Sequence, residues 1–188
     1  MKPLINLGYI LSGALVISMP SFSQVKINHL LTQSKKEVKM GIDQSQDKNK
    51  AAVRKLYEDI LNTGKLELLD QVIAEDYIGV LGENGPAGFA QAIAPVRMAF
   101  PDIKWTIEDL IAEGDKVMAK WSWKGTNTSS FNGIQPTNKE ITHHAVNIFQ
   151  FSGGKIIKAW MESDRLGFFQ QIGVIPQGLI PPPLPVKK

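Results

Sequence analysis

The chain predicts an α+β fold in which helices come first and a long antiparallel sheet follows. Two observations carry this. Apolar residues recur at helical spacing from Val53 to Val96, and from Ile103 onward the period changes to two. Turn signals at Glu113-Gly114-Asp115 and Gly153-Gly154 then fold the alternating runs into hairpins. A sheet built this way must curl round or be covered by its helices, and a curled sheet with helices across its open side encloses a pocket.

The N-terminus stands apart from this pattern. Lys2 precedes a mostly apolar, uncharged run from Leu4 to Met19, and Ser21-Phe22-Ser23 places small residues where a signal peptidase reads. Residues 1–23 are therefore expected to be a signal peptide cleaved before Gln24, sending the protein to the periplasm or outside the cell. The alternative is a retained membrane anchor, for which an apolar run of about 16 residues is short. Residues 24–46 are polar, rich in Lys, Gln and Ser, and read as a flexible linker. The domain is expected over 47–176, with a Pro-rich tail at 177–188.

Within the domain, Asp47 is placed to cap a helix carrying Val53, Leu56, Tyr57, Ile60 and Leu61 on one face and ending at Gly64. A shorter helix follows, with Leu66, Leu69, Val72 and Ile73, and then a brief strand from Tyr77 to Leu81. Pro86 suits the first turn of a third helix, which Pro95 should kink or split. Trp105, Ile107, Asp109 and Ile111 are expected on one face of the first long strand. Val117, Ala119, Trp121 and Trp123 share a face of the next. A third strand runs from Ile141 to Phe151, and a fourth from Lys155 to Asp164.

A net charge of +3 among 188 residues, with both signs interleaved, gives no basic stripe and argues against nucleic-acid binding. With no cysteine there is no disulfide framework and no thiol nucleophile. His143 and His144 are adjacent with no carboxylate cluster at ligand spacing, so no metal site is expected. Asn127-Thr128-Ser129 matches a glycosylation sequon.

If Gly153-Gly154 is a two-residue turn, Ser152 pairs with Lys155, and His143, Ala145 and Asn147 then oppose Asp164, Glu162 and Trp160. One face would carry His143, Asn147, Phe149, Trp160, Glu162 and Asp164, and the other Val146, Ile148, Ile157, Ala159 and Met161 as core. A β-bulge would shift this pattern by one and bring in His144 instead of His143. Asp164 precedes the helical stretch Leu166 to Gly173, so it is either a helix cap or an acid/base group whose apolar neighbours tune it. Aromatic residues beside a few polar groups suit a pocket for a small hydrophobic molecule.

Several segments together resemble the SnoaL-like polyketide cyclase or ester cyclase family. They are Tyr57 with Asn62-Thr63-Gly64, Phe100-Pro101-Asp102-Ile103, Glu108 to Val117, Trp121 with Gly125-Thr126, Phe131 to Thr137, Gly154-Lys155-Ile156, Trp160, Asp164 and Gln170-Gln171-Ile172-Gly173. The resemblance spans about residues 49–176. It implies the nuclear-transport-factor-2-like fold, a strongly curved sheet wrapped against N-terminal helices into a cone with an apolar pocket. It also implies ring closure by intramolecular aldol condensation without a cofactor, Asp164 matching the family's acid/base aspartate. His143 would assist catalysis, while Tyr57, Trp121, Asn147, Trp160 and Glu162 would bind substrate. Family members commonly pair through their sheets, so a homodimer is expected. This chain departs from the family in having Gly79-Val80 where members often carry His, and in its export signal. A non-catalytic hydrophobic-ligand carrier, or a hydrolase pairing Asp164 with Glu162 as in epoxide hydrolases, are the competing readings.

Overall fold

The computed structural model describes residues 22–176; the expected signal peptide up to Ser21 and the expected Pro-rich tail from Gln177 lie outside the described residues. Helix α1 runs from Phe22 to Arg54 and continues into a π-helical turn, Lys55–Leu61. A 3-10 helix, Leu66–Gln71, leads into β1, Ile73–Ile78. Helix α2, Gly85–Ala99, precedes four strands: β2 (Lys104–Glu113), β3 (Lys116–Thr126), β4 (Glu140–Ser152) and β5 (Lys155–Ser163). Helix α3, Arg165–Gln171, follows β5.

The stretch read as a linker is helical, and Asp47 lies inside α1, paired with Lys50 at 3.0 Å, rather than capping it. Its Lys, Gln and Glu residues are good helix formers and need no apolar stripe to be helical. The chain divides after Met40 into two units. In the first, the described side chains are exposed; in the second, from Gly41, α1 turns amphipathic and buries Val53 completely, as the π-helical turn buries Leu56 and Ile60. Among the described residues no helix is long and apolar enough to cross a membrane. Pro86 occupies the first turn of α2 as expected, but the helix continues through Pro95 without dividing.

The five strands form one curved, unclosed sheet in the order β1-β5-β4-β3-β2. The long strands pair antiparallel, and β1 joins β5 in parallel. Both hairpin turns are as expected: Glu113 pairs with Lys116, and Ser152 with Lys155. At Gly153 and Gly154 the backbone has φ of 57° and 80°, which glycine adopts without a steric penalty. Val117, Ala119, Trp121 and Trp123 all face the core.

Two bulges change the faces of the strands. In β2, Ile107 opposes Trp121 and Asp109 opposes Lys120, so Glu108 is the extra residue. Beyond it Leu110 and Ala112 turn inward, while Ile111, expected beside Trp105, is 55% exposed. In β5, Phe151 opposes Ile156 and Gln150 opposes Lys158, so Ile157 is extra. Burying both Ile156 and Ala159, three positions apart, requires such an insertion in a period-two strand.

Candidate functional site

The β5 bulge corrects the predicted pairing along most of the last hairpin. Asn147 opposes Met161, Ile148 opposes Trp160, Val146 opposes Glu162, and Ala145 opposes Ser163. Trp160 and Glu162 therefore lie on the outer face, where Trp160 is 41% exposed and carries the Lys158 ammonium 4.9 Å above its ring. Neither shares the inner face with Asn147 and His143. Val146 and Ile148, expected in the core, are exposed beside them, and Ala159, expected with them, is buried opposite Phe149. The outer residues line a shallow groove of about 420 Å³ with Gly79 and Val80.

The inner face gathers Tyr57, Trp121, Asn147 and His143. Asn147 is buried, and its Oδ1 accepts the Trp121 indole N–H at 2.7 Å. An amide has two further donor hydrogens on its nitrogen, which this bond leaves for a ligand. The Tyr57 ring packs against Trp121 at 5.9 Å and Phe149 at 6.3 Å. Burial, with the Tyr77 phenol adding to it, pushes the Tyr57 hydroxyl well above its ordinary range, and a hydrogen bond with Trp121 opposes this weakly. Tyr57 is a neutral phenol at any physiological pH.

His143 sits in an aromatic cage, its ring centroid 5.3 Å from Phe168, 5.6 Å from Trp123 and 6.0 Å from Trp121. Phe168 also packs on Phe131 at 5.6 Å, and Phe100 on Trp123 at 4.9 Å. Within this cage the His143 Nδ1 is buried with no hydrogen-bond partner among the described residues. Desolvation holds the imidazole below its ordinary value; the Asp164 charge draws it back up, and His144 pushes it down. His144 points to the opposite face, 3.6 Å from Glu108, whose carboxylate also meets Lys120 at 3.0 Å. His143, not His144, lies on the inner face.

Asp164 is the N-cap of α3, where its Oδ1 accepts the Gly167 N–H at 2.8 Å and its own N–H donates to the His144 carbonyl. It is exposed, and Oδ2 makes no hydrogen bond among the described residues. The cap and the electrostatic influence on His143 coexist in one carboxylate. Helix α3 is held over the start of β4 by Gln171, whose Oε1 accepts the Thr142 N–H at 2.9 Å and whose Nε2 donates to the Thr142 carbonyl at 2.8 Å. That docking brings Phe168 onto His143.

Periodicity missed the roles of Phe168, Trp123, Phe100 and Phe131 in this cage. Trp123 was legible on the face of Trp121, and Phe168 lies one helical turn after Asp164, but their convergence depends on how α3 docks. The family-like segments prove structural in part. Asn62 donates to the Trp105 carbonyl at 2.9 Å and accepts the Trp105 N–H at 2.7 Å. Asp102 accepts the Thr126 N–H and hydroxyl, both at 2.7 Å, and these bonds hold its carboxyl below the ordinary range. Asn127, the sequon residue, is 1% exposed and engaged with Ser129 and Thr137, which removes it as a glycan acceptor in the folded protein.

The SnoaL-like polyketide cyclase family model matches residues 51–172. No curated protein matches the chain. Among solved structures, a protein of Bacillus cereus is 32% identical with a TM-score of 0.59, the match covering 68% of this chain and 82% of that one. TsrD of Streptomyces laurentii is 26% identical with a TM-score of 0.60, covering 70% of this chain and 96% of that one. A SnoaL-like polyketide cyclase of Agrobacterium tumefaciens shares the fold at 19% identity and a TM-score of 0.56, covering 62% and 92%. With the curved sheet, the helices across it and the family model over 51–172 in agreement, the chain belongs to the SnoaL-like polyketide cyclase family.

Proposed function

We propose that the protein is a cofactor-independent cyclase or isomerase that moves a proton on a small, largely apolar carbonyl compound, with His143 and Asp164 as the acid/base pair. Membership of a cyclase family supports the reaction class. The observation that carries the site is the unpartnered His143 Nδ1 inside an aromatic cage. A buried neutral imidazole is a proton acceptor near neutral pH, and a carboxylate nearby stabilises the imidazolium once the proton arrives. In the proposed step His143 takes a proton from carbon beside a carbonyl, the enolate carbon bonds to a second carbonyl carbon, and the resulting alkoxide recovers the proton. The Asn147 amide and the Tyr57 hydroxyl are the donors for the enolate oxygen.

A panel of aromatic β-keto esters in D2O tests this by NMR, since deuterium enters at the acidic carbon whether or not a ring closes. His143→Gln and Asp164→Asn should each slow exchange by roughly 100-fold. Wild-type exchange rates in both variants refute the assignment.

The exposure and capping role of Asp164 favour a second reading, a binding protein for a small hydrophobic ligand. It predicts saturable binding without exchange, unaffected by Asp164→Asn. The hydrolase reading required Glu162 beside Asp164 on the inner face, and Glu162 points outward.

The apolar run behind Lys2 supports export to the periplasm or medium. The half-exposed Val146, Ile148 and Trp160 on the outer sheet face support a homodimer.

A further inference from the structure

Gly167 lies within α3 at an ordinary helical φ, so its backbone does not call for glycine. Its surroundings do. A Cβ built on Gly167 falls 2.1 Å from the Asp164 Oδ2, 2.8 Å from its Cγ and 3.0 Å from Oδ1, and these are the three nearest atoms. The Gly167 N–H meanwhile donates to Oδ1 at 2.8 Å. The carboxylate thus lies flat against the bare Cα of Gly167, tethered by that residue's amide.

We propose that Gly167 is a positioning residue for the Asp164 carboxylate: the missing side chain leaves the space in which the carboxylate rests, fixing its distance from His143. This rests on the acid/base reading of the His143 and Asp164 pair. Any side chain at 167 displaces the carboxylate, because no real Cβ tolerates an oxygen at 2.1 Å. The carboxylate is the mobile partner, since the helical backbone on the other side is held by Gln171.

The test is Gly167→Ala, read by NMR titration of the His143 ring. Asp164 raises the proton affinity of His143, so moving its charge away lowers the titration midpoint, in the same direction as Asp164→Ala. Deuterium exchange of a β-keto ester should fall at least about 10-fold in the same variant. The double variant D164A/G167A removes the obstructing carboxylate, so adding Gly167→Ala to Asp164→Ala should change neither the midpoint nor the rate. Far-UV circular dichroism of all three confirms that α3 and the sheet are retained.

An unchanged or raised His143 midpoint in Gly167→Ala overturns the proposal whatever the activity does. A further loss on adding Gly167→Ala to Asp164→Ala also overturns it, because Gly167 would then act independently of the carboxylate. If no β-keto ester exchanges even with the wild type, the reaction assignment fails while the titration still decides the role of Gly167.

Discussion

Asn147→Ala isolates the polar bond at the heart of the aromatic interior. The wild-type Asn147 Oδ1 accepts the Trp121 indole N–H at 2.7 Å in a setting where Asn147 is 7% and Trp121 6% exposed. Water has little access, so deleting the acceptor leaves a buried donor unpaired at a cost of about 1–3 kcal/mol. For a domain of this size that lowers Tm by roughly 2–10 °C. Trp121→Phe removes the donor instead and keeps most of the ring, stranding the Asn147 oxygen. The two changes should be strongly non-additive: once the indole N–H is gone, Asn147→Ala has no buried donor left to strand. Urea unfolding of the wild type, both single variants and the double variant measures the coupling, expected at about 1–2 kcal/mol. A coupling below about 0.5 kcal/mol refutes the reasoning. It would mean that the Tyr57 hydroxyl, which also meets Trp121, takes over as acceptor.

Two other outcomes follow from the same contacts. Because burial depresses the folded His143 below its ordinary 6.5, the unfolded chain binds the proton more readily; its stabilising contribution is full above that value and is lost as pH falls toward the folded midpoint. His143→Gln should flatten this part of a urea-midpoint profile, and Asp164→Asn should extend the slope to lower pH. Asn62→Ala removes both hydrogen bonds to the Trp105 backbone, and chemical unfolding should show a loss of about 1–3 kcal/mol with little change in fold by circular dichroism.

The helices-then-hairpins order, the two glycine-bearing turns and the inward row Val117, Ala119, Trp121 and Trp123 were legible because local chemistry dictates them. The faces of β2 and β5 were not, since counting by twos assumes that no residue is inserted. A clue lay in the spacing: Ile107 to Leu110 and Ile156 to Ala159 are apolar pairs three apart, which an unbulged strand would send to opposite faces. The cost was the misplacement of Trp160 and Glu162. His143 stayed on the inner face because the insertion lies in β5, not in β4. The spacing of Leu56, Tyr57, Ile60 and Leu61 marks a helix but not its widening into a π-helical turn, and the helical linker carries no periodic signal strong enough to read. The cage around His143 and the Asn62 clamp join residues far apart in sequence, and only the docked helices reveal them.

An unclosed sheet leaves backbone donors and acceptors along its rim, an invitation to another chain's strand. In this molecule side-chain amides take up part of that offer. Asn62 occupies both backbone groups of Trp105 on edge strand β2, and Gln171 does the same for Thr142 where β4 runs beyond the end of β5. Each amide imitates the peptide group of a neighbouring strand while ending in a side chain that cannot propagate one. The sheet can therefore remain unclosed without becoming a seed for intermolecular β-aggregation.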